Sequence, residues 1–140
     1  ELGAKLLLSQ LDAIEQSNLI PQLQDDAQAC YAGKLTKQEA LIDWYKDAEL
    51  LHREVRAFNP WPVSYTTLNG TLVKIWSVRH SIDSVECEPG KVLSHDRQGI
   101  RVCCGAGTLE IKELQFAGKN RAMAAQLLNS RNLTNEFFGG

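Results

Sequence analysis

Apolar residues recur at helical spacing early in the chain and at strand spacing in its second half, so the pattern divides the molecule before any motif is read. Ala4, Leu7, Leu8, Leu11 and Ile14 form one stripe, with Lys5, Gln10 and Asp12 turned toward water. This predicts a helix over residues 1–16, ended by Asn18 and Pro21. Residues 22–29 are polar and aperiodic, as a linker would be. Thr36-Lys-Gln-Glu39 has the form of a capping box, in which the Thr hydroxyl and Glu carboxylate satisfy free amides at a helix start. That helix is short, because Ile42-Asp43-Trp44-Tyr45 has extended character. Asp47 is placed to cap a further helix. Its stripe is Ala48, Leu51, Val55 and Phe58, while Glu49, Arg53 and Arg56 occupy another face. Asn59-Pro60-Trp61-Pro62 stops it, since each proline restricts the residue before it.

From Val63 onward the period shortens to that of strands. Segments 63–68 and 71–78 flank Asn69-Gly70, a pair suited to the positive φ angles of a two-residue hairpin turn. Val92-Leu93 and Ile100–Val102 flank a second turn, Asp96–Gly99. Gly105-Ala-Gly107 leads into the alternating stretch 109–112. The apolar parity flips between Ile111 and Leu114, which suggests a bulge or a bend of the kind small barrels use to turn corners. A last helix, 122–129, is expected to bury Met123, Leu127 and Leu128. Short strands and frequent turns favour a mainly β fold: a small OB-like barrel with a helix leading into it and a C-terminal helix. A separate N-terminal helix and linker precede it. The expected division is 1–20, 21–46 and 47–140, and the first helix needs another surface to cover its stripe.

Composition narrows the function classes. Of 140 residues 44% are hydrophobic and 23% charged, as in soluble globular proteins. No apolar run approaches the ~20 residues that span a bilayer, and Leu6-Leu7-Leu8 is too short for a signal peptide core. No membrane association is expected. Cys30, Cys87, Cys103 and Cys104 contain no Cys-x₂-Cys pair, and His52, His80 and His95 lack ligand spacing. The cysteines are therefore expected to be buried or half-buried free thiols in a reducing cytoplasm, with no metal. The sequons at Asn69 and Asn132 carry no weight without a secretion signal. Charge is unevenly divided: residues 1–55 hold five Lys and Arg against ten Asp and Glu, net −5, while residues 56–140 hold ten against seven, net +3. The chain opens in the middle of a helical pattern, as a piece cut from a longer protein would.

Several blocks together resemble one family. Tyr31-Ala-Gly-Lys-Leu-Thr-Lys-Gln-Glu-Ala40, Ile42-Asp43-Trp44 and Arg56-Ala-Phe-Asn-Pro-Trp-Pro62 are followed by Val73-Lys-Ile-Trp76 and Gln98-Gly99-Ile100. Leu114-Gln-Phe-Ala-Gly-Lys119 and Met123-Ala-Ala-Gln-Leu-Leu-Asn-Ser-Arg131 complete the set. In order and spacing, over roughly residues 31–131, these resemble the linker and second domain of the methionyl-tRNA formyltransferases. The resemblance implies an N-terminal α/β domain that binds 10-formyltetrahydrofolate and formylates the amino group of methionyl initiator tRNA. It also implies a C-terminal OB-like barrel that helps hold the tRNA. This chain would be the last helix of the first domain, the linker and the barrel. It would have no cofactor or catalytic residue of its own and be inactive alone. After Arg131 the family pattern has Trp-Phe and then Pro-Gly; this chain has Asn-Leu-Thr-Asn-Glu-Phe-Phe-Gly-Gly, so Phe137-Phe138 would substitute in a shifted register.

Under this reading the chemistry rests on cations that meet phosphates. Candidates are Lys34 and Lys37 in the linker, Arg53 and Arg56 on the helix, Lys74 in the first hairpin, and Lys119, Arg121 and Arg131 near the closing helix. Arg56 also suits a helix C-terminus. Trp44, Trp61 and Trp76 are expected to pack in the core, and Gly118-Lys119 reads as a turn. Implied partners are methionyl initiator tRNA and the catalytic domain; the chain is expected to be a monomer, with the first helix as the surface for any dimer. Two alternatives stand beside it: a barrel that only packs on the catalytic domain, or the same domain of a related folate-dependent formyltransferase. A nucleophilic enzyme using Cys103 or Cys104 would need a nearby base, and no motif supplies one.

Overall fold

The computed structural model describes residues 2–20, 22–83 and 85–139, in two compact units, Glu1–Gly33 and Lys34–Gly140. The first unit contains helix α1, Leu2–Glu15, none of whose residues is buried. Its final hydrogen bonds run from Gln16 N to Asp12 O and from Asn18 N to Ala13 O, with Ser17 at positive φ. Pro21, the expected stop, lies outside the described residues. Among those described, no helix is long and apolar enough to cross a membrane.

The second unit is mainly β, a curled antiparallel sheet with the character of a small OB-like barrel. Helix α2, Ala48–Ala57, is followed by β1 (Tyr65–Leu68), β2 (Thr71–Ser81), β3 (Val92–His95), β4 (Ile100–Cys103), β5 (Thr108–Phe116), β6 (Ala122–Met123) and helix α3 (Ala124–Leu127). The strand order is β1-β2-β5-β4-β3, with β6 also on β5. Asn69 and Gly70 both take positive φ, and β1 and β2 pair directly across them. Between β2 and β5 the register jumps at Ile75/Ser77 and again at Ser77/Val78, so first Trp76 and then Lys112 is an extra residue. Of the bulge or bend that the parity flip near Ile111 suggested, the structure has the bulge. It also lets β5 change neighbours, pairing β4 over Thr108–Ile111 and β6 at Glu113 and Leu114.

The C-terminal tail joins the two edge strands. Gly139 N donates to Thr67 O of β1 at 2.9 Å, and Val92 N of β3 donates to Glu136 O at 2.8 Å. Edge groups that would otherwise meet water are thereby paired. Phe138 is buried and stacks on Trp44 with ring centroids 5.7 Å apart. The Trp44 indole N–H donates to Thr66 Oγ1 at 3.1 Å, inside the core. Residues 34–46 thus contribute Ala40, Ile42 and Trp44 to the interior.

Several local expectations need correction. The capping box at Thr36 closes on itself: Thr36 N and Oγ1 both donate to Glu39 Oε1, beside a single 3-10 turn, Gln38–Ala40. Asp47 occupies the N-cap of α2, but its side chain accepts no capping bond. The closing helix is only Ala124–Leu127, because residues 122–123 are drawn into β6; Met123 is exposed, and Ala124 takes the buried place. Trp61 is 57% exposed rather than in the core, in a segment whose Asn59-Pro60 and Trp61-Pro62 bonds are cis. Trp76, the bulge residue, is half-buried. Nor are all four cysteines buried free thiols. Cys87 and Cys103 form a disulfide, Cα atoms 6.1 Å apart, because the segment after β2 passes beside β4; Cys30 is exposed and Cys104 is buried.

Candidate nucleic-acid interface

Cations on this unit divide into those neutralised by a neighbour and those left open. Arg53 pairs with Glu49 one turn earlier on α2, a spacing readable in the sequence. Arg121 pairs with Glu113, and its guanidinium lies 4.8 Å from the Trp76 ring centroid. Arg131 reaches Glu136 at 3.3 Å. Lys34, Lys37, Arg56, Lys74 and Lys119 make no ion pair among the described residues.

Trp76 organises one group. The bulge sets its indole on the outer side of β2, where the N–H donates to Gln115 Oε1 at 3.2 Å. Gln115 lies opposite Lys74 in the β2–β5 register, and its amide donates to Lys119 O at 2.9 Å. Arg56 lines a hollow walled by Trp76, with His52 and Asn59 beside it. Arg56 and Arg121 therefore border one indole, and the carboxamide bonded to that indole lies opposite Lys74 and holds the main chain at Lys119.

A second group surrounds a cleft of about 500 Å³ between the end of β5, the turn after it and α3. Its floor is apolar, with Leu114, Phe116 and Leu127, and its rim carries Lys119 and Arg131. Gly118 takes φ 72°, and the turn is closed by Lys119 N donating to Phe116 O at 3.0 Å. Outside the cleft lining, Glu136 accepts from both Asn69 and Arg131. These bonds, Asn69's first, hold its carboxyl below the usual carboxylate range. Arg131 is thus positioned by hydrogen bonds that begin in the β1–β2 turn.

The expected residues do not all converge. Lys119 and Arg131 share the cleft, and Arg56 and Arg121 flank Trp76; Lys34, Lys37 and Arg53 line neither place. Sequence reading missed the partners Glu113 and Glu136, which only the fold brings close. It also missed His52 tilted against His80, ring centroids 4.7 Å apart and ring planes at 40°. Burial, then His80, Arg56 and Arg53, lower the His52 pKa against an opposing pull from Glu49. The nucleophile alternative is overturned: Cys103 is in the disulfide, and burial pushes the Cys104 thiol up to about 12. What remains is a surface able to contact phosphates, with an aromatic and an apolar floor nearby.

Comparison with known proteins agrees with this architecture. The methionyl-tRNA formyltransferase of Nitrosococcus oceani is 44% identical over 135 residues, which are 96% of this chain and 42% of that protein. That of Methylococcus capsulatus is 41% identical over 138 residues, 99% of this chain and 44% of that protein. The chain therefore spans less than half the length of these relatives. HypX from Aquifex aeolicus, solved in complex with tetrahydrofolic acid, superposes with a TM-score of 0.67 at 18% identity. The match covers 89% of this chain and 22% of HypX, and at that identity it speaks for the fold alone. The model of the formyl transferase C-terminal domain matches residues 34–132, nearly all of the barrel unit, and to that family the chain belongs.

Proposed function

We propose that this chain is the tRNA-holding portion of a methionyl-tRNA formyltransferase. The rest of that enzyme would transfer a formyl group from 10-formyltetrahydrofolate to the amino group of methionyl initiator tRNA in the cytoplasm. One observation carries the reading beyond family membership: Arg56, Lys74 and Lys119 stay free of ion pairs among the described residues, and each lies beside the Trp76–Gln115 pair, Arg56 lining the hollow at Trp76, Lys74 opposite Gln115 in the sheet and the main chain of Lys119 hydrogen-bonded to Gln115. Open cations held in one neighbourhood suit phosphates that follow one another along a backbone. The catalytic domain supplies the acceptor-end chemistry and covers the apolar stripe of α1; this chain contributes backbone contacts and no catalytic group.

A second reading, a barrel that only packs on the catalytic domain, draws support from the internal pairing of Arg53, Arg121 and Arg131. Titration of labelled initiator tRNA at two salt concentrations separates the two. The tRNA-holding reading expects weak binding whose affinity falls steeply with salt. Salt-insensitive binding, or none at low salt, leaves the packing barrel.

A further inference from the structure

We propose that the cleft bounded by Phe116, Leu127, Lys119 and Arg131 receives one unstacked nucleotide of the bound RNA, its base on the apolar floor and its phosphate at Lys119, beside the Glu136-paired Arg131. The proposal rests on the tRNA-holding reading and adds a defined subsite to it. Three features of the cleft support it. Its volume, about 500 Å³, lies within the range of small-ligand sites. Its floor offers Phe116, half-buried at the end of β5, together with Leu114 and Leu127. Aromatic and apolar side chains of this kind accept the π-face of a base that has left its stack, which is how proteins commonly read single-stranded RNA. The rim is electrostatically matched to the rest of such a ligand: Lys119 is exposed and free of ion pairs among the described residues. Arg131 is held from behind by Glu136, which Asn69 fixes in turn at 2.9 Å. An apolar floor beside an unpaired lysine fits poorly with a protein helix, whose apolar face would leave Lys119 without a partner. It fits a nucleotide at both ends.

Ala117 also lines the cleft and is exposed, so Ala117→Trp would fill the site from its edge without touching the core or the charge. Phe116→Leu keeps an apolar side chain at the floor and removes the aromatic ring. The test is titration of labelled tRNA against the full 140-residue chain and these variants across a salt series. Folding is checked by thermal melting, and Phe116→Leu decides the matter should Ala117→Trp fail to fold. The proposal expects Ala117→Trp and Phe116→Leu each to weaken binding about five- to tenfold, as loss of one stacked base does, with an unchanged salt slope. Lys119→Ala should weaken it about fivefold and lower the slope by about one. Parental affinity in both floor variants alongside weakened Lys119→Ala would overturn the nucleotide subsite and leave the tRNA-holding reading intact. Absence of salt-dependent binding by the parent chain would remove both. Free 5′-AMP that displaces tRNA at equal concentration would assign the cleft to a soluble nucleotide instead, and so also overturn the proposal.

Discussion

Helices α1 and α2 follow the same rule of composition and meet opposite fates. In α1, Leu7, Leu8, Leu11 and Ile14 are all exposed, whereas the shorter α2 buries Ala48, Leu51 and Val55 in the barrel core. Both carry an apolar stripe with polar residues opposite. The difference lies in what each stripe meets. Helix α2 is held against β2 and β5 within its own unit, and its N-terminal end is tied down by Ala48 N donating to Ala106 O at 2.9 Å. Helix α1 has no such partner among the described residues, and the relatives that match this chain are more than twice as long. An amphipathic pattern states that a face is to be covered; it does not name the cover. Most helix stability comes from that covering, because isolated helices near ~12–15 residues are marginal in water.

The contrast can be broken most directly with leucine truncations. Leu51→Ala should cost the barrel about 2–5 kcal/mol, read from urea denaturation, because a fully buried side chain leaves a cavity. Leu7→Ala should leave the same transition within about 0.5 kcal/mol. A large effect at Leu7 would mean that α1 is coupled to the barrel after all. Trp44→Phe comes next: it removes the donor to Thr66 Oγ1 while keeping an aromatic ring beside Phe138, for an expected loss of about 1–2 kcal/mol by the same measurement.

Thiol titration sharpens the comparison without disturbing the fold. Cys30, in the first unit, is exposed; Cys104, in the second, is buried with its pKa pushed to about 12. A colorimetric thiol reagent at neutral pH should find Cys30 promptly and Cys104 only after denaturation, with Cys87 and Cys103 appearing on reduction. Early reaction of Cys104 would mean that the second unit opens as readily as the first.

The smallest effect is expected in the pH profile. The His52 pKa is lowered in the folded state by burial, then by His80, Arg56 and Arg53, so the unfolded chain takes up a proton first as pH falls. That contribution is complete above the ordinary histidine value of 6.5 and is lost as pH drops through the folded value. His52→Asn should flatten the stability curve in this interval, and an unchanged curve would assign the slope to another group. Glu136 acts in the same direction at more acid pH: its carboxyl, lowered chiefly by Asn69, stabilises above its ordinary 4.5 and ceases to do so as pH falls through the folded value.

Much of the barrel was legible because its signals are local. Asn69-Gly70 needs positive φ at both positions, and the parity break before Leu114 marks where an extra residue enters the ladder. The closing helix is shorter than its apolar pattern suggests because its first residues have a choice: Ala122 and Met123 suit a helix, but the free edge of β5 at Glu113 and Leu114 takes them as a strand. Phe137 and Phe138 could be flagged as an aromatic pair, yet nothing local says that Phe138 meets Trp44. The candidate interface was less legible still. A lysine or arginine reads alike whether or not a carboxylate waits across the fold, so Arg121 and Arg131 looked as open as Lys119 until Glu113 and Glu136 came beside them.

Local backbone chemistry and periodicity therefore determined by themselves the helix–linker–strand order, the hairpin turns and the place of the bulge, since each depends on residues within a few positions of one another. The family, too, was written in ordered blocks of sequence. Tertiary structure decided which apolar stripe is covered, which cations are already neutralised, that Cys87 finds Cys103, and that the tail closes the gap between β1 and β3. These are contacts between residues far apart in the chain. Their energies arise only when folding has removed the intervening water, and no local pattern records them.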